Sequence, residues 1–79
     1  MSEIFIRRYY QEENIMYYLH FIGEEAVRQL EIHTGKRLRY TTEHPYDDDG
    51  GLYDQDFSDV EWPADSFITR EEFETEWNK

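Results

Sequence analysis

Cysteine is absent from this 79-residue chain, and proline and glycine are scarce, with two and four copies. Without cysteine the protein can form neither a disulfide framework nor a thiolate metal site, on which small secreted domains usually depend. No uninterrupted apolar run has the length of a signal-peptide core or of the roughly 18 residues that span a membrane. We therefore predict a cytoplasmic protein with no disulfide, no cofactor and no membrane association.

Positive charge is scarce in the second half of the chain. Residues 1–39 contain six acidic and six basic side chains, whereas residues 40–79 contain thirteen acidic ones against Arg70 and Lys79. The whole net charge of -11 therefore lies in the second half. Such a surface repels nucleic acid and anionic membranes and attracts basic proteins. The asymmetry predicts an interaction face for a basic protein partner and argues against direct nucleic-acid binding.

Aromatic residues are abundant, since seven Tyr, five Phe and two Trp make up 18% of the chain. Each ring buries roughly 150 to 250 Å² when it enters a core, which is enough to fold a chain of this length. The length itself allows a single domain. We predict one domain over residues 1–79, with a β-meander over 1–42, an acidic loop region over 43–65 and a C-terminal helix within 66–79.

Two segments of β-branched and aromatic residues, 3–10 and 15–22, have the composition of strands and flank the polar turn 11–14. The second segment is apolar on both faces, which predicts a central strand covered on both sides. One of those sides has no obvious cover other than a second subunit, so a homodimer is an open alternative.

The segment after the second strand fits either a short helix or a further strand. A three-residue hairpin loop that ends at Gly35, in the left-handed conformation, would place Leu30 opposite Leu38. In that register one face holds Arg28, Leu30, Ile32, Leu38 and Tyr40, and the other holds Gln29, Glu31, Arg37 and Arg39. Because both faces are then satisfied, we predict strands over residues 25–32 and 36–42.

The last segment begins with a capping box, in which Thr69 and Glu72 satisfy each other's free backbone N–H groups. Ile68 precedes the cap and can pack on Phe73 as a hydrophobic staple. Phe73 and Trp77 are four residues apart and lie on one helical face, which predicts a two-turn helix. The expected fold class is α+β, an antiparallel β-meander of about four strands with a C-terminal helix packed on one face.

Residues 43–65 carry nine acidic side chains and no Lys or Arg, interspersed with aromatic rings. Residues 60–62 have the composition of a short edge strand. We interpret the segment as a recognition surface in which rings anchor a partner and carboxylates pair with its Lys and Arg. The candidate partner-binding residues are Tyr46, Asp47, Asp48, Asp49, Tyr53, Asp54, Asp56, Phe57, Asp59 and Glu61. The alternative is a solvated acidic loop whose rings only tie it to the body.

Other kinds of site are poorly supported by the sequence. An EF-hand needs acids at positions one, three and five, Gly at six and Glu at twelve, and neither Asp47 nor Asp54 begins such a run. His20, His33 and His44 fall on different elements, which argues against a shared metal site. No serine has a nucleophile-elbow context. We therefore predict no metal site and no catalytic residues, and a small enzyme is the least favoured alternative.

The segments Val27–Lys36 and Phe67–Trp77 resemble those of small acidic bacterial immunity proteins, which are encoded beside toxins delivered between competing cells. Together they cover about a quarter of the chain. The resemblance implies an antitoxin that masks the active site of a cognate toxin, expected to be a nuclease with a basic cleft. It transfers no functional residues, because immunity proteins choose their contacts individually.

The same electrostatics suits a second class of target. A phage or plasmid protein that mimics nucleic acid would occupy the DNA channel of a host enzyme through the same carboxylates. The two hypotheses share an acidic surface and differ only in the identity of the basic partner. Both are non-catalytic.

Overall fold

The structure is a computed structural model that describes residues 2–79. Its strands are β1 (Glu3–Tyr10), β2 (Ile15–Ile22), β3 (Glu25–His33), β4 (Lys36–Thr41) and β5 (Phe67–Ile68), and its α-helix is α1 (Arg70–Trp77). The strands form one antiparallel sheet in the order β4-β3-β2-β1-β5. The predicted α+β meander with a C-terminal helix is confirmed, with β5 as an additional edge strand. No helix within residues 2–79 is long and apolar enough to cross a membrane.

The strand β2 lies at the centre of the sheet and is covered on both faces, as its apolar composition predicts. On one face α1 buries a first apolar cluster. This cluster consists of Phe5, Tyr18, Leu30 and Phe73, with Met16, Ile32, Ile68 and Trp77 packed against it. Phe73 and Trp77 lie on one face of α1 as predicted, and their rings stack with centroids 5.8 Å apart. On the other face the loop between β4 and β5 supplies the cover, so this core needs no second subunit.

The helix α1 is held at both ends by polar contacts. At its start, Glu72 N–H donates to Thr69 Oγ1 at 3.1 Å and Thr69 N–H donates to Glu72 Oε1 at 3.0 Å, which confirms the capping box. At its end, Arg39 Nε donates to the carbonyl of Trp77 at 3.0 Å, and Arg37 donates to the carbonyl and carboxylate of Glu76. Cations at this end also favour the helix dipole.

The register predicted for the β3–β4 hairpin is wrong by one residue. A two-residue turn, Thr34-Gly35, pairs His33 with Lys36, so Leu38 lies opposite Glu31 and not opposite Leu30. Because side chains alternate along a strand, this shift exchanges the two faces of β4. Arg37 and Arg39 therefore point toward α1, and Leu38 and Tyr40 share the other face with Gln29 and Glu31. Gly35 does adopt the expected left-handed conformation, with φ of 82°.

The predicted edge strand over residues 60–62 is also wrong, because the edge strand is β5. Phe67 and Ile68 pair with Ile6 and Phe5 of β1. Trp62 is instead turned toward the sheet, and its indole N–H donates to the carbonyl of Phe57 at 2.9 Å. Two short 3-10 turns, Phe57–Asp59 and Ala64–Ser66, bend the chain on either side of Trp62. A residue anchored in this way between two bends cannot continue an extended ladder.

The imidazole of His20 is a buried polar group within the first apolar cluster. Its ring stacks on Phe5 with centroids 4.4 Å apart. Nδ1 accepts a hydrogen bond from Arg28 Nε at 3.0 Å, so the neutral ring carries its proton on Nε2 and donates to Glu3 Oε1 at 2.8 Å. Burial lowers the pKa of His20 below its ordinary value of 6.5, and the nearby Arg28 acts in the same direction while Glu3 opposes it.

This lowered pKa predicts that the protein loses stability in mild acid. The unfolded chain takes up a proton at His20 near pH 6.5, whereas the folded chain resists it, so the unfolded state binds more protons below that pH. We expect the free energy of unfolding, measured with urea, to fall between pH 7.5 and pH 5.5. A His20→Gln variant should be less stable at pH 7.5 but show a flatter pH dependence.

The exposed His44 provides the matched control for this prediction. A His44→Gln variant removes an exposed imidazole that has no part in the cluster, and should keep the slope of the unmodified protein. An equally steep slope in His20→Gln would contradict the assignment. The pH range ends at 5.5 so that carboxylates do not contribute to the slope. Hydrogen bonds from Arg70 and Arg28 lower the pKa values of Glu3 and Glu74, so protonation of these two groups reduces the free energy of unfolding further below pH 4.5.

Candidate partner-binding surface

The loop between β4 and β5, residues 42–66, is packed onto the sheet by aromatic rings. On this face the sheet carries a second apolar cluster, which consists of Ile6, Leu19, Phe21 and Ala26. Ile4 of the sheet and four residues of the loop, Leu52, Tyr53, Phe57 and Trp62, pack against it. The fully buried Phe21 ring lies 5.3 to 5.9 Å from the rings of Tyr53, Phe57 and Trp62. Edge-to-face contacts at these distances stabilise the packing beyond simple burial. The loop is therefore an ordered part of the fold.

Hydrogen bonds from the sheet fix the backbone of the same loop. Gln29 is buried in β3, where its side-chain oxygen accepts from Tyr53 N–H at 2.7 Å and its amide nitrogen donates to the Gly51 carbonyl at 3.1 Å. At the β2–β3 turn, the backbone carbonyl of Glu24 accepts a hydrogen bond from Phe57 N–H at 2.9 Å. The side-chain carboxylate of Glu24 accepts another from Ser58 N–H at 2.8 Å. The loop thus has polar attachments at two separate points of the sheet.

Asp47 organises the most acidic turn of the loop. One of its carboxylate oxygens accepts from the backbone N–H groups of Asp49 and Gly50 and from the buried Tyr40 hydroxyl, at 2.8, 3.1 and 2.9 Å. These hydrogen bonds, with that from Asp49 N–H the largest influence, lower the pKa of Asp47. Burial raises the pKa of Tyr40, and the bond to Asp47 adds to the effect. Asp47 therefore shapes the turn that presents Asp48 and Asp49.

The predicted partner-binding residues divide into outward and inward groups. Tyr46 is 73% exposed, more than the other exposed aromatic residues, Tyr9, Tyr10 and Phe67, among residues 2–79. The carboxylates of Asp48, Asp49, Asp54, Asp56, Asp59 and Glu61 also lie on exposed residues. Tyr53 and Phe57 are half-buried in the second apolar cluster, so these two rings hold the loop in place more than they extend from it. Of the three predicted anchors, only Tyr46 projects freely.

The distribution of ion pairs leaves the loop unneutralised. Arg28 holds Glu74 through two hydrogen bonds, at 2.6 and 3.1 Å, and Arg37 holds Glu76 at 2.9 Å. Arg70 pairs with Glu3. Among residues 2–79, the nine carboxylates of residues 43–65 have one basic partner within 4.0 Å, Lys36, whose Nζ lies 3.8 Å from Asp49. Three of the six bases of the first half, Arg28, Arg37 and Arg39, thus contact the helix and not the acidic loop.

A concave pocket lies beside the loop, and the sequence did not indicate it. Its volume is about 310 Å³. Three strands contribute its floor and the loop one wall; the lining residues are Arg8, Tyr10, Tyr17, Leu19, Gln29, Glu31, Gly51, Tyr53 and Trp62. Alternation along β1 and β2 does place Arg8, Tyr10 and Tyr17 on one face, but their closeness to Trp62 depends on how the loop folds back.

The three histidines lie in separate environments. His20 is buried under α1, Nε2 of His33 lies 2.9 Å from the carboxylate of Glu31, and His44 is exposed after β4. Within residues 2–79, no three His, Asp or Glu side chains are grouped so that they could hold a metal ion. Each of the two inner histidines is instead engaged by a single carboxylate of the protein.

Comparison with known proteins adds no assignment to this geometry, because no family model, no curated protein and no solved structure matches the chain. Function is therefore inferred from the charge distribution, the ordered loop and the pocket.

Proposed function

We propose that this protein is a non-catalytic inhibitor that binds a basic protein partner through the carboxylates of residues 43–65. The observation that carries the proposal is the unneutralised loop: its carboxylates have one distant basic neighbour, Lys36, among residues 2–79, whereas the carboxylates of Glu3, Glu74 and Glu76 are paired. A protein that required these charges only for solubility would not need to order them on a packed loop.

Order in the unbound loop supports a binding role. A loop that is already fixed by Phe21, Gln29 and Glu24 loses little conformational entropy when it docks, so more of the contact energy contributes to affinity. Exposed carboxylates chiefly accelerate encounter with a positive surface, and a projecting ring such as Tyr46 can anchor the complex once it forms. Together these features suit a protein that must capture its target quickly and hold it.

The partner we propose is a toxin nuclease, whose cleft must be basic in order to hold phosphates. In this proposal the protein acts in the cytoplasm as an immunity protein and covers that cleft. Affinity capture on the tagged protein from its native host, followed by mass spectrometry, tests the assignment. Recovery of a basic nuclease domain supports it, whereas recovery of a host DNA-binding enzyme favours the nucleic-acid-mimic alternative. Recovery of an acidic or neutral partner contradicts both.

Charge reversal in the loop predicts slower association with that partner. We expect the triple variant Asp48→Lys, Asp54→Lys, Asp56→Lys to reduce the association rate about 10- to 100-fold at low salt, because long-range attraction dominates the encounter. The rate for the unmodified protein should itself fall as sodium chloride is raised, since the Debye length shrinks to about 8 Å at 0.15 M salt. Stopped-flow fluorescence measures both effects.

A variant with the same change in net charge separates the loop from the overall charge of the protein. Glu12, Glu13 and Glu71 are exposed acids outside the loop with no basic partner within 4.0 Å among residues 2–79. Reversing these three to Lys should slow association less than about threefold. Equal slowing by the two triple variants, or an association rate that does not depend on salt, would show that the loop is not the docking surface.

A further inference from the structure

The pocket beside the loop has a negative end and a positive end. Arg8 of β1 lies opposite Tyr17 of β2, which in turn lies opposite Glu31 of β3. Neighbouring strands are about 4.8 Å apart, so the backbones at Arg8 and Glu31 are separated by roughly 10 Å with Tyr17 between them. The pocket is thus floored by a tyrosine ring and closed by opposite charges on its two sides.

Aromatic side chains line the pocket from both the sheet and the loop. The rings of Tyr10 and Tyr17 meet edge to face at 5.1 Å, and those of Tyr53 and Trp62 at 6.0 Å. The guanidinium of Arg8 lies 5.4 Å from the Tyr10 ring and 5.9 Å from the Trp62 ring. The rings around this cavity therefore already accept a planar cation of the protein itself.

Glu31 is a buried carboxylate that lacks a permanent cation. The residue is 7% exposed, and its two oxygens are contacted by the Gln29 amide at 2.6 Å and by His33 Nε2 at 2.9 Å. Among residues 2–79, no Lys or Arg nitrogen lies within 4.0 Å of it. A charge taken out of water is costly unless a counter-ion accompanies it, so a cation that enters the pocket gains more from Glu31 than from an exposed carboxylate.

The charges around the pocket also favour a cation over an anion. Asp54 follows the lining residue Tyr53, and Glu61 precedes the lining residue Trp62. Burial raises the pKa of Tyr53, and Tyr10, Asp59 and Asp54 act in the same direction. Among the residues that the structure describes, Arg8 is the one basic side chain in the lining. An anion would have to overcome the carboxylate of Glu31 in the lining and the net charge of -11.

We propose that the pocket binds an arginine side chain of the partner, with its guanidinium paired to Glu31 and packed against the rings of Tyr17, Tyr53 and Trp62. The source of that arginine rests on the proposed function, whereas the chemistry of the pocket does not. Arginine fits better than lysine because its planar head stacks on aromatic faces and donates two hydrogen bonds to one carboxylate. The pocket volume of about 310 Å³ is sufficient for one side chain.

A small probe tests the pocket without the partner. N-acetyl-arginine amide carries the guanidinium but no carboxylate, and its titration should shift the ¹H–¹⁵N signals of the Trp62 indole and the Tyr53 amide in a saturable way. The variant Glu31→Gln should weaken binding about tenfold or more, because a hydrogen bond to a charged group is replaced by one to a neutral group. The matched control Glu71→Gln removes an exposed charge on α1 and should leave the affinity within twofold.

The variant Arg8→Gln tests whether the pocket prefers a cation or an anion. Removing a cation from the pocket lining should tighten the arginine probe modestly, by about twofold, whereas an anion-binding pocket would lose its ligand. Benzoate serves as the anionic probe and should produce no saturable shift. Weaker arginine binding in Arg8→Gln, saturable benzoate binding, or unsaturable arginine shifts would each overturn the proposal. Because Arg8 lies on a half-buried position of β1, this variant keeps the test decisive even where Glu31→Gln folds poorly.

The pocket and the proposed function can fail separately. One outcome is that partner binding depends on salt and is slowed by the Asp48, Asp54 and Asp56 reversals, while the arginine probe does not bind. This outcome would contradict the pocket proposal and leave the proposed function intact. The other outcome is that the probe binds saturably and loses binding in Glu31→Gln, while the captured partner is not basic. This outcome would support the pocket proposal and contradict the proposed function.

Discussion

Replacing Phe73 by Ala should destabilise the protein by about 3 to 5 kcal/mol, the range for deletion of a fully buried ring. Phe73 is 0% exposed, stacks on Trp77 and packs against Phe5, while the guanidinium of Arg28 lies 4.7 Å from its ring. A domain of this size has only roughly 4 to 12 kcal/mol in total. The variant should therefore melt more than about 12 °C lower, as measured by circular dichroism and urea denaturation.

The variant Phe67→Ala makes the same chemical change at an exposed position. Phe67 is 46% exposed on the edge strand β5, and its ring meets Phe57 at 6.3 Å. We expect it to cost about 1 kcal/mol or less. Similar losses in the two variants would mean that α1 is not the cover of the first apolar cluster, and that the helix is only loosely attached to the sheet.

The main elements of the fold follow from local sequence signals. The runs of β-branched and aromatic residues predict β1 and β2 with the observed bounds, and the Thr69 capping box predicts the start of α1. These signals are reliable here because each one acts within a few residues of the chain. The central position of β2 also follows, since only a strand covered on both faces can be apolar on both.

The hairpin register did not follow, although the predicted register satisfies both faces of the hairpin locally. The deciding partners are distant in sequence: Arg37 reaches Glu76, and Arg39 reaches the carbonyls of Trp77 and Lys79. Pairing Glu31 with Arg37 across the strands would have left the end of α1 without these cations. A register chosen from neighbouring strands alone cannot include a helix forty residues away.

The candidate site was predicted in part for the same reason. Composition identifies the acidic segment, because charge is a property of residues 43–65 taken together. It does not reveal that Tyr53 and Phe57 turn inward to meet Phe21, or that Glu31 is buried beside the loop. Both facts depend on contacts between the loop and the sheet. The pocket, which is built from those contacts, was accordingly missed.

The spatial arrangement of charge differs from its arrangement along the chain. Acids and bases balance within residues 1–39, yet in the folded protein Arg28 and Arg37 neutralise Glu74 and Glu76 of α1. Folding thereby places two of the six basic side chains of residues 1–39 next to acids of the helix. Among residues 2–79, the nine carboxylates of residues 43–65 keep one basic neighbour within 4.0 Å, Lys36, and so leave a negative field over the loop.

Replacing Gln29 by Met should detach the loop from the sheet with little change in side-chain volume. Three hydrogen bonds are lost, and Tyr53 N–H and the Gly51 carbonyl lose the amide partners that they have in the native protein. Each of these two backbone groups left without a partner costs about 1 to 3 kcal/mol, so we expect a total loss of roughly 2 to 6 kcal/mol. Hydrogen exchange at the Tyr53 amide should accelerate, because its protection depends on this one acceptor.

The exposed Gln11 in the β1–β2 turn is the matched control, since Gln11→Met makes the same chemical change without removing a side-chain hydrogen bond within residues 2–79. It should alter stability by less than about 0.5 kcal/mol. The loosened loop of Gln29→Met must be ordered again on docking, so its complex with the partner should dissociate faster even though every loop carboxylate is retained. Unchanged dissociation in Gln29→Met, together with accelerated exchange at Tyr53, would show that the carboxylates act without a preordered loop.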